Sequence, residues 1–207
     1  MIKVHHLENS RSQRVLWLLE ELGLDYEIIR YERDRKTMLA PPALAQVHPL
    51  GKSPLIENEG RVIAETGAIV EYIVEKAEGR LGPPANRESV LRYRHFLHYA
   101  EGSLMPPLLV LLVVNRLGLL GRPAKKPILG MLRTHLDWLE SELATRDWFA
   151  GEEFSAADIM MSFPLEAARA RAGLGPDHPH LIDWLERIHA RPAYAEALRK
   201  GGPYAYA

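Results

Sequence analysis

Three short segments of this chain combine residue types able to handle an anion, a peptide main chain and an amino-acid head group. The first is Asn9-Ser10-Arg11-Ser12-Gln13-Arg14. It lies between a β-capable run and the first helical pattern, where hydroxyls and unpaired backbone N–H groups favour negative charge and can activate a nucleophile. The same residues also read as a plain helix start, because Ser10 followed three positions later by Gln13 is a capping pair. The second segment, residues 48–56, runs His-Pro-Leu-Gly-Lys-Ser-Pro-Leu-Ile, so that Pro54 opens a strand directly after a glycine-containing turn. X-Pro bonds are cis in only ~5–6% of folded cases, but a tight, strand-opening turn raises that share. A cis bond before Pro54 turns the main chain of Ser53 outward, where it can pair with an extended peptide; the plainer reading is a rigid turn. The third segment is Glu65-Thr66, placed at a helix start. Thr66 can offer its hydroxyl and N–H to a carboxylate while Glu65 accepts from an ammonium, and a cap with an acidic neighbour in the helix dipole explains the pair equally well.

Other chemistries are excluded or poorly supported. The chain has no cysteine, which removes disulfides, thiolate metal sites and any thiol nucleophile of its own. His5 and His6 are adjacent on a strand and face opposite ways, so they cannot share a metal. His95 and His98 are three apart on a helix, but no further ligands complete a tetrahedral site. No metal is expected.

The positioning elements follow from hydrophobic period. Residues 2–6 are β-capable. Val15, Leu16, Leu18, Leu19 and Leu22 then share one helical face before Gly23, and Tyr26–Tyr31 is rich in β-branched and aromatic residues. Together these make a β-α-β unit with parallel strands. A charged loop and short helix occupy residues 32–47. Residues 54–57 and 61–64 form a hairpin across Asn58-Glu59-Gly60, and a helix follows over residues 66–78 with Ile69, Val70, Ile73, Val74 and Ala77 on its apolar face. Residues 79–86 are rich in Gly and Pro, and every periodic stretch beyond them is helical. The expected division is therefore a domain at 1–79, a linker at 80–86 and an all-helical domain at 87–207. Within the latter, Ser155 and Asp158 form a capping box with Phe154 and Ile159 as its staple. The longest apolar run, residues 108–114, is expected to be a buried helix segment, since a membrane span needs ~20 residues.

Composition agrees with a globular chain: 207 residues, 47% hydrophobic and 26% charged, with 26 Lys plus Arg against 27 Asp plus Glu. That balance gives no global field to attract nucleic acid or acidic membranes. No signal-peptide pattern opens the sequence, so a cytoplasmic location is expected.

The order of these features resembles the cytosolic glutathione S-transferase family, in its bacterial, serine-type, theta-like and phi-like branches, over nearly the whole chain. Ser10 precedes Arg14 by the same four positions as the activating serine there, Gly51-Lys52-Ser53-Pro54 looks like the family's cis-proline loop, and Glu65-Thr66 looks like its γ-glutamyl site. The resemblance implies a thioredoxin-like β-α-β-α-β-β-α domain that binds glutathione, followed by a helical bundle that holds an apolar electrophile. It implies Ser10 as the thiol-activating residue, with Asn9 and Ser12 as rivals, and Lys52, Ser53, Glu65 and Thr66 as glutathione contacts. The loop Arg33-Asp34-Arg35-Lys36 can add a cation. Tyr99, Met105 and Pro106 are assigned to the electrophile pocket or, alternatively, to helix core and a kink. Glutathione enters as co-substrate with no further cofactor, and a homodimer is implied. The activity implied is conjugation, with peroxide reduction as a variant; a non-catalytic interaction module and a glutathione-dependent isomerase are the alternatives. Members with a cysteine at the serine position carry out thiol-disulfide exchange, which this chain cannot do, so the thiol must arrive on the ligand.

Overall fold

A computed structural model of the chain describes residues 1–206. Its contacts divide it into two units, residues 1–82 with 189–205, and residues 83–188 with 206.

The first unit holds a four-stranded sheet in the order β2-β1-β3-β4, with β1 Ile2–Leu7, β2 Tyr26–Tyr31, β3 Leu55–Asn58 and β4 Arg61–Ala64. β1 and β2 are parallel, as a helical crossover requires, whereas β3 runs antiparallel to both β1 and β4. The crossover is α1 (Ser12–Leu22). Val15, Leu16, Leu18 and Leu19 on it are fully buried together with Val4 and Ile56 of the sheet. Helix α2 (Ala43–Val47) precedes the Ser53-Pro54 turn, and α3 (Thr66–Lys76) buries Ile69, Val70 and Ile73. The break between units at Gly82 falls inside the breaker-rich segment, but the last helix does not stay with the helical unit as its sequence position suggested.

That last helix, α9 (Pro192–Gly201), packs on α1. Tyr194 meets Trp17 edge to face at 5.1 Å, Arg191 grips both carboxylate oxygens of Glu21, and Lys200 pairs with Glu20. Its end lies so close to α1 that a Cβ on Gly201 would stand 2.8 Å from Gln13 Oε1 and 2.9 Å from Leu16 Cδ1. A side chain there would require Gln13 and Leu16 to move.

The second unit contains α4 (Arg87–Tyr99), α5 (Met105–Arg116), α6 (Arg122–Leu143), α7 (Ala156–Arg171) and α8 (Pro179–His189). The start of α4 is capped by Asn86, whose side chain accepts from the Ser89 N–H. A π-helical turn, Ala100–Leu104, joins α4 to α5 just ahead of Pro106 and Pro107, whose missing N–H groups interrupt the i→i−4 ladder there. The joined helix is long and apolar enough to cross a membrane by length and composition. Phe96, Leu97, Leu104, Leu108, Leu111 and Val114 on it are buried inside the helical unit, as in a core helix. The apolar run 108–114 is not buried all round, however: Leu109, Val110 and Val113 are exposed. A seven-residue run spans two helical turns, so one unit of packed helices cannot cover every face of it.

The capping box forms at α7. The Asp158 carboxylate accepts from the Ser155 N–H and hydroxyl, the Phe149 N–H and the Trp184 indole N–H. Burial pushes that carboxyl up to about 6, against the pull of these four donors.

Candidate functional site

Sheet register brings the three chemical segments to one edge. His5 pairs with Leu55 and Leu55 with Ala64, so a single row crosses β1, β3 and β4. Immediately beyond that row lie the segment after His6, Ser53-Pro54 before Leu55, and Glu65-Thr66 after Ala64. This edge is the carboxyl end of the parallel strands β1 and β2, the position where open sheets of this kind leave a crevice for ligands.

Each segment has distinct local geometry. The Ser53-Pro54 bond is cis. The Ser53 hydroxyl donates to the His5 carbonyl at 3.0 Å, anchoring the turn to β1, while its main chain stands outside the β3 register. Lys52 is exposed beside it. Glu65 precedes α3 at φ 71°, ψ 124° and its side chain is exposed. A non-glycine residue there stores about 1–3 kcal/mol of backbone strain, a kind of outlier that clusters at binding sites. Thr66, the first residue of α3, is buried.

The Ser10 segment is organised by a partner that local sequence did not reveal. The Ser12 hydroxyl sits 2.9 Å from His6 Nδ1 and 2.7 Å from the Ser10 hydroxyl, and it accepts from the Leu7 N–H. Ser10 in turn accepts from the Ser12 N–H at 3.2 Å. His6 donates to the Gly201 carbonyl, and burial, helped by the Arg30 charge, lowers its pKa to about 4. His6 is therefore neutral, and with Nε2 donating its Nδ1 is an acceptor. The Ser12 proton has two acceptors apart from Ser10, that nitrogen at 2.9 Å and the Leu7 carbonyl oxygen at 3.2 Å, and with either of them taking it the Ser10–Ser12 contact uses the proton of Ser10. In that arrangement Ser10 turns its proton inward.

This network sorts the three candidates for thiol activation. Ser12 is fully buried and its hydroxyl is engaged by the Leu7 main chain, His6 and Ser10. The Asn9 side-chain carbonyl accepts from the Ala205 N–H at 2.7 Å. Ser10, also buried but at 6% exposure, is the one of the two serines with access to solvent. The expected Ser10–Gln13 capping box does not form; α1 starts at Ser12, and the Gln13 amide nitrogen is buried with no partner. Gln13 faces α9 instead of its own helix start.

Arg33 also differs from expectation. Its guanidinium donates to the main-chain carbonyls of Glu8, Asn9 and Met38, so it braces the loop ahead of Ser10. Asn9 stands at φ 49°, which asparagine tolerates, and Arg33 with Ala205 holds it there. Asp34 caps the next turn through the Lys36 and Thr37 N–H groups.

In the helical unit Tyr99 is buried in an aromatic cluster with His95, Phe96 and Trp138, and its hydroxyl meets His135 Nδ1. Burial pushes its pKa upward. Met105 is buried and Pro106 exposed. No group of three His, Asp or Glu side chains able to hold a metal occurs among the described residues.

Comparisons with known proteins agree with this architecture. Residues 1–75 match the family model "Glutathione S-transferase, N-terminal domain" and residues 113–187 the model "Glutathione S-transferase, C-terminal domain". The chain is 33% identical over 223 residues to Glutathione S-transferase 1 of Saccharomyces cerevisiae, covering 97% of this chain and 95% of the relative. A solved glutathione S-transferase from Actinobacillus pleuropneumoniae superposes with TM-score 0.90 at 32% identity, covering 100% of this chain and 95% of the other. A sphingomonad glutathione S-transferase, solved in complex with glutathione, superposes with TM-score 0.81 at 25% identity over 97% and 98% of the two chains. With a thioredoxin-like unit and a helical unit that both match, the chain belongs to the glutathione S-transferase family.

Proposed function

We propose that this transferase binds glutathione along the sheet edge and activates its thiol through the Ser10 hydroxyl. The observation that carries the reading is the common placement of Ser10, the cis Ser53-Pro54 turn and Glu65-Thr66 beyond one row of the sheet. Glu65 and Thr66 take the γ-glutamyl head group, the Ser53 main chain pairs with the cysteinyl residue, and Lys52 neutralises a carboxylate. Ser10 leaves Ser12 and donates to the sulfur. The thiol proton goes to solvent, and the thiolate attacks an electrophilic carbon, displacing its leaving group or adding to it. A peroxide oxygen is an alternative acceptor.

Energetics favour the turn of Ser10. A hydrogen bond to a charged group contributes ~1.5–3 kcal/mol and the neutral bond given up ~1 kcal/mol, leaving a net of about 0.5–2 kcal/mol. The positive end of α1 adds ~0.3–1 kcal/mol. Thiol activation of this size is modest in rate: even a two-unit drop from ~8.5 raises reactivity at pH 7 only about threefold, because nucleophilicity falls with pKa. Most of the acceleration must come from holding sulfur and electrophile together. Tyr99, Met105 and Pro106 belong to the electrophile-binding unit.

Family resemblance also supports a homodimer, read by light scattering, and a cytoplasmic setting in which the glutathione pool is reduced. The direct test is retention on immobilised glutathione together with turnover of a general electrophile. Retention and turnover are expected; retention without turnover would support a non-catalytic binder.

A further inference from the structure

The connection between α5 and α6 has features that glutathione chemistry does not use. Residues 115–120 and 122–127 are all exposed, with Gly121 alone buried between them. Leu117, Leu119 and Leu120 are exposed by 52%, 72% and 85%, far more than isolated surface leucines need to be, and they are consecutive with or one residue from each other. The turn that carries them, a 3-10 helix over Gly118–Gly121, is drawn tight against α5: a Cβ on Gly121 would stand 2.1 Å from the Val114 carbonyl oxygen. That approach leaves no space beneath the turn for a side chain, so the leucines project outward.

Charge around this tip is one-sided. Between Glu101 and Asp137 the sequence contains no Asp or Glu, whereas Arg116, Arg122, Lys125, Lys126 and Arg133 all fall in that interval. Arg116, Arg122, Lys125 and Lys126 are exposed, and none is paired with a carboxylate among the described residues. A cleft of about 330 Å³ opens between the leucines and these cations, lined by Val114, Asn115, Leu119, Arg122 and Lys125 among others. The near-neutral chain as a whole therefore carries a local cationic patch around an apolar point.

We propose that this tip docks on the surface of an anionic phospholipid bilayer. Projecting leucines enter the boundary of headgroups and acyl chains, while arginine and lysine, whose stems can lie along the apolar surface, keep their charges at the phosphates. An acid-free segment with exposed cations flanking exposed leucines matches a surface that supplies both hydrocarbon and negative charge, and the cleft places Arg122 and Lys125 beside apolar wall at the scale of a phosphate headgroup. The contact is peripheral; no helix needs to cross the bilayer.

The test is cosedimentation of the full chain with vesicles of phosphatidylcholine containing phosphatidylglycerol, against vesicles of phosphatidylcholine alone, at low and high salt. The bound fraction is expected to be on the order of tenfold higher on the anionic vesicles and to fall at high salt. Leu119→Ser with Leu120→Ser, and separately Arg122→Gln with Lys125→Gln and Lys126→Gln, should each abolish the excess without changing glutathione turnover in solution, since all these side chains are exposed. Equal binding to both vesicle types, no binding to either, or full binding by either variant would overturn the proposal. So would a leucine variant that loses mass by light scattering in the absence of vesicles, because the leucines would then cover a second copy of the chain.

Discussion

Ser10→Ala and Ser12→Ala should move the acidity of bound glutathione in opposite directions. The Ser10 proton is directed at Ser12 when the Ser12 proton goes to His6 Nδ1 or to the Leu7 carbonyl oxygen. Donation to sulfur therefore yields a net of about 0.5–2 kcal/mol after the neutral bond is given up. At 1.36 kcal/mol per unit, Ser10→Ala should raise the bound thiol pKa by about 0.4–1.5 units. Ser12→Ala removes the competing acceptor and should lower it, by up to about 0.7 units if the whole ~1 kcal/mol is recovered. The second variant also leaves the Leu7 N–H and His6 Nδ1 without their buried partner, at about 1–3 kcal/mol of stability for each. The assay is a pH titration of thiolate ultraviolet absorbance with glutathione saturating, paired with equilibrium denaturation. A rise in thiol pKa for Ser12→Ala, or no change for Ser10→Ala, would refute this hydrogen-bond order.

Other expectations are independent of that network's direction. Lys52→Ala should raise the KM for glutathione several-fold with little change in kcat, as expected when a contact binds ground and transition states alike. Gly201→Ala should cost about 1–3 kcal/mol by overpacking against Gln13 and Leu16, seen as a lower Tm. Asp158→Ala strands buried donors from Phe149, Ser155 and Trp184 and should cost about 3 kcal/mol or more in denaturant titrations. The two buried titrating groups predict opposite pH slopes. Asp158, with its carboxyl pushed up to about 6 in the folded chain, binds its proton more tightly there than when unfolded, so its contribution falls as pH rises from about 4 to about 6. His6, lowered to about 4, binds its proton more weakly when folded, so its contribution rises over roughly pH 4 to 6.5 and is lost in acid. Comparing stability-pH curves of Asp158→Asn and His6→Gln with the parent separates the two.

The sheet, its parallel opening pair and the helical second half were legible because strand and helix periods are strong where one face is buried, as in α1 and α3. The capping box at Ser155 and Asp158 was legible for the same local reason. The orientation inside the 9–12 turn was not: it depends on the left-handed Asn9, on Arg33 arriving from beyond β2, and on His6 held by Gly201 at the far end of the chain. Nothing in local spacing reports those partners. Helix α9 shows an amphipathic pattern, but the charges that dock it, Arg191 on Glu21 and Lys200 on Glu20, are about 170–180 positions apart. The run 108–114 is apolar on all sides, and such a run carries no information about which face stays in water.

If this cysteine-free chain takes its sulfur from glutathione held at the sheet edge, reduced glutathione must bind it. Isothermal titration calorimetry of the purified full chain with reduced glutathione tests it most directly. A saturable heat with one glutathione per chain, weakened in Thr66→Val, is expected; no binding heat at millimolar glutathione would rule out glutathione as the source of sulfur.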